Sequence, residues 1–151
     1  MNKETTFEEE LTLRGSIIYK NVGTSMMPMI REGRDVMVIS RSEGRLRRFD
    51  IPLYKRGDKY ILHRVLKVRE KDYVIAGDHC VYREYGVTDE DIIGVLTGLY
   101  RDGKPVSLDS LGYKLYCHLW CDFYHVRVFI LRVKAHLRAA WHRLTHGKGK
   151  K

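Results

Sequence analysis

The chain has 151 residues, 28 Lys+Arg against 19 Asp+Glu, and three Cys. This fits one folded domain with an appendage and excludes wholesale disorder and a disulfide scaffold. The net charge of +9 divides unevenly: residues 111–151 carry nine basic side chains and one acid, Asp122, whereas residues 1–110 carry 19 basic and 18 acidic. The expected organisation is therefore a near-neutral body over 1–110 and a basic tail over 111–151.

No stretch approaches the ~20 apolar residues of a transmembrane helix. Met1–Glu10 is acidic and lacks the apolar core of a signal peptide. A cytoplasmic or peripheral membrane location is the expectation.

Thr5–Leu13 is predicted as a short helix, because Thr6 and Glu9 form a capping-box pair and Gly15 follows. Ser16–Val22 is rich in β-branched and aromatic residues and reads as a strand. Gly23–Pro28 must be a loop or tight turn. Asp35–Ser40 alternates as a strand, and Ser42–Arg48 is a basic loop. Ile51–Lys55 and Lys59–Val68 are predicted strands joined at Arg56-Gly57-Asp58. Tyr73–Ala76 ends at a Gly77-Asp78 turn, Ile92–Tyr100 is a further strand, and Asp102-Gly103 leads into Pro105–Leu108. About seven short strands without βαβ alternation indicate a mainly-β body. From Leu111 the apolar period lengthens to three and four, which predicts one long amphipathic helix or two joined ones.

Ser25 lies beside Gly in Gly23-Thr24-Ser25-Met26-Met27-Pro28, on a turn that Pro28 constrains. Taken alone, this is a surface turn with methionines reaching into the core. A serine hydroxyl becomes a nucleophile only where a base can take its proton. His63 is the candidate base: alternation puts it on the face of Ile61 and Val65, and imidazole is suited to proton abstraction near neutrality. The same position also suits a hydrogen-bonded core histidine. Thirty-eight residues separate Ser25 from His63, so only the fold can bring them together.

These residues resemble a known family. Gly23-x-Ser25-Met26-x-Pro28 is similar to the nucleophile motif of signal peptidase I and of the related self-cleaving SOS repressors. Gly33, Asp35 and Val36, then Asp50-Ile51, then Leu62-His63-Arg64-Val65 and Gly77-Asp78 follow in the family's order. The His-Arg-Val run resembles the archaeal, endoplasmic-reticulum and sporulation-type enzymes, which use a Ser–His arrangement. The resemblance covers roughly residues 16–100 and implies a signal-peptidase-like body of antiparallel β-sheets with a C-terminal amphipathic helical extension. It also implies an acylated Ser25, a general base in His63, a supporting Asp78 and an oxyanion donor in the Ser25 backbone N–H. Met26 and Pro28 would contact an extended peptide substrate. No cofactor or metal is implied. The sequence departs from the family at Phe49, where Gly is expected, and at His79, where Asn is expected. No N-terminal membrane anchor of the family's kind is expected from these residues, and the next carboxylate, Glu84, stands in an unfamiliar Cys-Val-Tyr-Arg-Glu context.

The expected function is a serine endopeptidase acting on a leader or signal-type peptide. The alternative is a non-catalytic peptide-binding module docked by its tail. A self-cleaving regulator would have little but Ala76-Gly77 to cut. Cys117, Cys121 and His125 share a helix face but read as packing residues, since three ligands over two turns do not close a zinc site. The tail suits an interfacial helix on an anionic membrane surface, and equally a helix packed on the β body or on a second copy. Nucleic acid is not an expected partner, because no helix-turn-helix or aromatic RNA-binding signature accompanies the charge.

Overall fold

In a computed structural model of the chain, residues 6–20 and 22–146 are described. Met1 and Thr5, named above, and the end of the 111–151 tail lie outside them. Helix α1 (Phe7–Arg14) starts on the expected capping box: Thr6 Oγ1 accepts the Glu9 N–H, and Glu9 reaches back to the Thr6 N–H. It is followed by β1 (Ser16–Lys20), β2 (Asp35–Ser40), β3 (Pro52–Arg56), β4 (Lys59–Leu62), β5 (Arg64–Val68), β6 (Tyr73–Ala76), β7 (Glu84–Val87), β8 (Ile92–Arg101) and β9 (Lys104–Pro105). Helices α2 (Leu111–Asp122) and α3 (Tyr124–His146) complete the chain.

All described pairings are antiparallel. One sheet runs β1-β2-β8-β3-β4, with β9 added to β8; a second runs β5-β6-β7. Together they make a curled half-barrel. The tail supplies helices of 12 and 23 residues, so strand and helix content are about equal and the mainly-β expectation holds only for the body. Among the described residues no helix is long and apolar enough to cross a membrane.

Two differences from the sequence expectation bear on function. The strand expected over Lys59–Val68 is two strands, broken at His63, where the chain leaves one sheet and enters the other. β7 was not expected, because Gly86, in left-handed backbone (φ 78), interrupts any alternation. The tail takes the second of its two expected forms, two joined helices that meet at Phe123.

Burial follows the pleat. Asp35, Met37 and Ile39 of β2 point inward, and Met37 and Ile39 join Leu11, Ile17, Leu53, Leu96 and Leu99 in the main core. A second core of Leu46, Tyr54, Val65, Tyr73, Ile75 and Val87 fills the space beside the small sheet. A third, of Leu66, Ala76, Cys121 and Tyr124, lies between that sheet and the tail helices. Phe49 packs on this last cluster with φ 78, a backbone conformation that favours glycine. Its ring meets His118 of α2 edge-on at 4.9 Å between centroids, contact that a glycine could not make.

Candidate active site

Ser25 stands on the loop between β1 and β2. Gly23 there adopts φ 93, a turn open to glycine at little steric cost. Met26 and Ile30, both fully buried in the main core, anchor the loop from beneath. At its far end the buried Asp35 carboxylate accepts the Arg31 N–H (2.9 Å) and pairs with Arg34 (2.7 Å) and Arg101 (3.3 Å). Arg101 also donates to the Met29 carbonyl at 2.9 Å, which ties the loop to β8. Two expectations fail here. Met26 is a core residue rather than a groove contact, because it fills the space under the loop. Pro28 is exposed on the turn and does not line the groove.

The ladder sets Arg64 opposite Ala76, so the next pair along places His63 opposite Gly77. The turn that follows is joined to the serine loop, since the His79 N–H donates to the Ser25 carbonyl at 2.8 Å. Gly77 passes between the two candidate groups. A β-carbon on it would lie 2.6 Å from the Ser25 carbonyl oxygen and 2.9 Å from His63 Nε2. This is why the turn requires glycine, and it bounds the separation of those two atoms by the sum of the two distances. Ser25 and His63 line one groove of about 270 Å³, with Tyr19, Leu53, Tyr60, Ile61 and Leu62 as apolar walls and Arg56 and Lys59 beside them. Among the described residues no hydrogen bond joins Ser25 Oγ to His63 Nε2. Such bonds are often long without substrate and tighten when it binds.

The far side of the imidazole is firmly held. His63 Nδ1 donates to Glu84 Oε1 at 2.8 Å. Tyr54 donates to Glu84 Oε2 at 2.9 Å, and Arg56 pairs with the same oxygen at 2.6 Å. The carboxylate, carried by β7 of the small sheet, is thus held by two side chains of β3 in the large sheet, and it selects the tautomer that leaves Nε2 unprotonated on the Ser25 side. Burial pushes the His63 pKa below the ordinary histidine value, and the Glu84 charge opposes that shift only in part. The imidazole is therefore neutral, as a base must be, at neutral pH. Cys80 Sγ stands 3.9 Å from Nε2, but burial pushes its thiol pKa up, so it is not a competing thiolate.

Asp78 does not orient the histidine: of the support expected of it, only a charge effect smaller than those of burial and Glu84 reaches the imidazole. Its side chain is fully buried in a two-pronged pair with Arg64, at 2.9 and 2.8 Å, and it accepts the Tyr116 hydroxyl at 3.0 Å. Arg64 follows His63 in sequence and points into the opposite face of the small sheet, so it draws Asp78 away from the imidazole. The orienting carboxylate is Glu84. Its only signal in the sequence was being the first acid after the Gly77-Asp78 turn; Tyr54 gave none. The tail grips the same turn through backbone carbonyls: Trp120 donates to that of Asp78 (2.8 Å), Tyr124 to that of Val81 (2.8 Å) and Arg127 to that of Cys80 (3.2 Å).

Gly77→Ala is expected to move either the serine loop or the imidazole. Its stability cost should be about 1–3 kcal/mol, measured by thermal melting.

No family model matches the chain, and neither a curated protein nor a solved structure matches it.

Proposed function

We propose that the chain is a serine endopeptidase similar to signal peptidase I, acylated on Ser25 with His63 as general base and Glu84 as the carboxylate that orients it. The observation that carries this reading is the imidazole at the junction of the two sheets. Its Nδ1 is held by Glu84 at 2.8 Å, and its Nε2 is directed at the Gly77 turn that contacts the Ser25 loop. A core histidine needs a hydrogen-bond partner, but it does not need a groove on its other side.

In the reaction, Ser25 Oγ attacks the scissile carbonyl carbon and its proton passes to His63 Nε2. Glu84 stabilises the imidazolium so formed. The Ser25 backbone N–H serves as one donor to the oxyanion, a class of interaction worth about 3–4 kcal/mol per donor. Collapse of the tetrahedral intermediate breaks the C–N bond, and the leaving amine takes the proton from Nε2. Water then attacks the acyl-enzyme, giving its proton to His63 and releasing the carboxylic product with Ser25 restored. β4 ends the strand order of the large sheet and borders the groove, so it can pair with an extended peptide.

The test is covalent labelling with a fluorophosphonate, followed by mapping of the labelled peptide. Label on Ser25 that disappears in Ser25→Ala and is strongly slowed in His63→Ala is the expected result. Label elsewhere, or peptide cleavage that survives Ser25→Ala, defeats the mechanism. Peptide binding with neither labelling nor cleavage would favour the non-catalytic module.

A further inference from the structure

Helix α3 leaves the body soon after it begins. Tyr124, Arg127 and Leu131 are buried, whereas every side chain from Arg132 to Thr145 is exposed. A bare helical segment of this length is marginal in water by itself, and this one carries an uncovered apolar face. At about 100° per residue, Val126, Phe129, Ile130, Val133, Leu137, Trp141 and Leu144 fall within an arc of roughly 120°, turned away from the buried Tyr124 and Leu131. Phe129 is 67% exposed, Leu137 65% and Trp141 70%.

The flanks of the stripe identify what covers it. Arg132 and Arg143 lie along one border, and Lys134 and Arg138 along the other; no acid occurs after Asp122. Phe129 and Trp141 occupy the two margins of the apolar arc, next to those bases. A second copy of the helix laid on this face would set basic borders against basic borders, which is repulsive. An anionic lipid surface accepts all three features: acyl chains meet the stripe, aromatic rings sit at the interface, and long basic side chains reach phosphate on both sides.

We propose that α3 is an interfacial helix that docks the protein on an anionic bilayer through the face centred on Val133 and Leu137. This inference is independent of the peptidase reading, because its readout is binding rather than cleavage. The experiment uses the full chain with vesicles of phosphatidylcholine alone or with about one-third phosphatidylglycerol, read by co-sedimentation and tryptophan emission.

Binding to the anionic vesicles with little binding to the neutral ones is expected, together with a blue shift that is lost in Trp141→Phe. Each base removed should weaken partitioning about fivefold. Arg132→Gln, Lys134→Gln, Arg138→Gln and Arg143→Gln combined should weaken it more than a hundredfold. Leu137→Gln with Trp141→Gln should also release the protein. All these side chains are exposed, so the melting temperature of the body should not move. The proposal is overturned by wild-type protein that ignores anionic vesicles or binds both kinds equally, or by a combined charge variant that still binds. A concentration-dependent dimer in sedimentation velocity that Leu137→Gln with Trp141→Gln dissolves would overturn it in favour of a second copy.

Discussion

His63→Ala is expected to lower kcat/KM on a cleaved peptide by about 10⁴-fold or more, and Ser25→Ala by a similar factor, with the double variant little worse than either. The non-additivity is the informative part, since two groups that act in one proton transfer cannot each be lost twice. Glu84→Gln keeps the shape of the site but replaces the carboxylate that holds Nδ1. A triad whose orienting carboxylate becomes an amide loses about 10⁴-fold, mainly through the wrong tautomer. Tyr54→Phe removes only one of the groups that fix Glu84 and should cost much less.

The pH profile gives an independent reading of the same machinery. Only neutral His63 is a base, and burial holds its pKa below the usual 6.5, so kcat/KM should rise on the acid side of that value and be flat above it. Glu84 raises the His63 pKa, so Glu84→Gln should move the limb to still lower pH. A limb that moves upward in that variant would remove Glu84 from its role. Stability should follow the same titration. Below about pH 6.5 the unfolded chain binds the proton more readily than the folded one, so stability drops as the pH is lowered until folded His63 also titrates.

Both candidate reacting groups were legible in the sequence, because a Ser on a Gly- and Pro-bounded turn and a His inside an alternating strand are local patterns. The hairpin of β3 and β4 and the bounds of β2 were legible for the same reason. What local pattern could not give was the hand-over at His63. Alternation continues smoothly from Lys59 to Val68, and only the pairing of Leu62 with Leu53 and of Arg64 with Ala76 reveals two sheets. That break decides which carboxylate reaches the imidazole, and it is why Asp78, the nearer acid by motif, gave way to Glu84. Phe49 illustrates a related limit. Its left-handed backbone explains why glycine suits the position, but the reason for an aromatic residue is α2, more than sixty residues away in the chain.

Asp78→Ala is expected to be the most destabilising of the substitutions considered, and for a reason unconnected with proton transfer. The Arg64 and Asp78 side chains are both sealed from solvent. Arg64 additionally donates to the Phe49 carbonyl (3.2 Å), to the Tyr113 hydroxyl (2.9 Å) and to Cys117 Sγ (3.3 Å), so the pair fastens α2 to the small sheet. Burial alone would lower the arginine pKa, but the Asp78 charge and hydrogen bonds raise it well above its usual value, and the guanidinium stays charged. Removing the carboxylate leaves that charge buried without its counter-ion, at a cost of about 3–5 kcal/mol. In a chain of this size the corresponding fall in melting temperature is roughly 10 °C. Arg64→Met in the same background should recover much of the loss, since an apolar replacement of both partners removes the uncompensated charge. Asp78 also acts on the His63 pKa less than burial and Glu84 do. The acid limb of kcat/KM should therefore move less in Asp78→Asn than in Glu84→Gln, even where the protein melts far earlier. A stable Asp78→Ala whose limb shifts as far as that of Glu84→Gln would reverse the assignment and return the orienting role to Asp78.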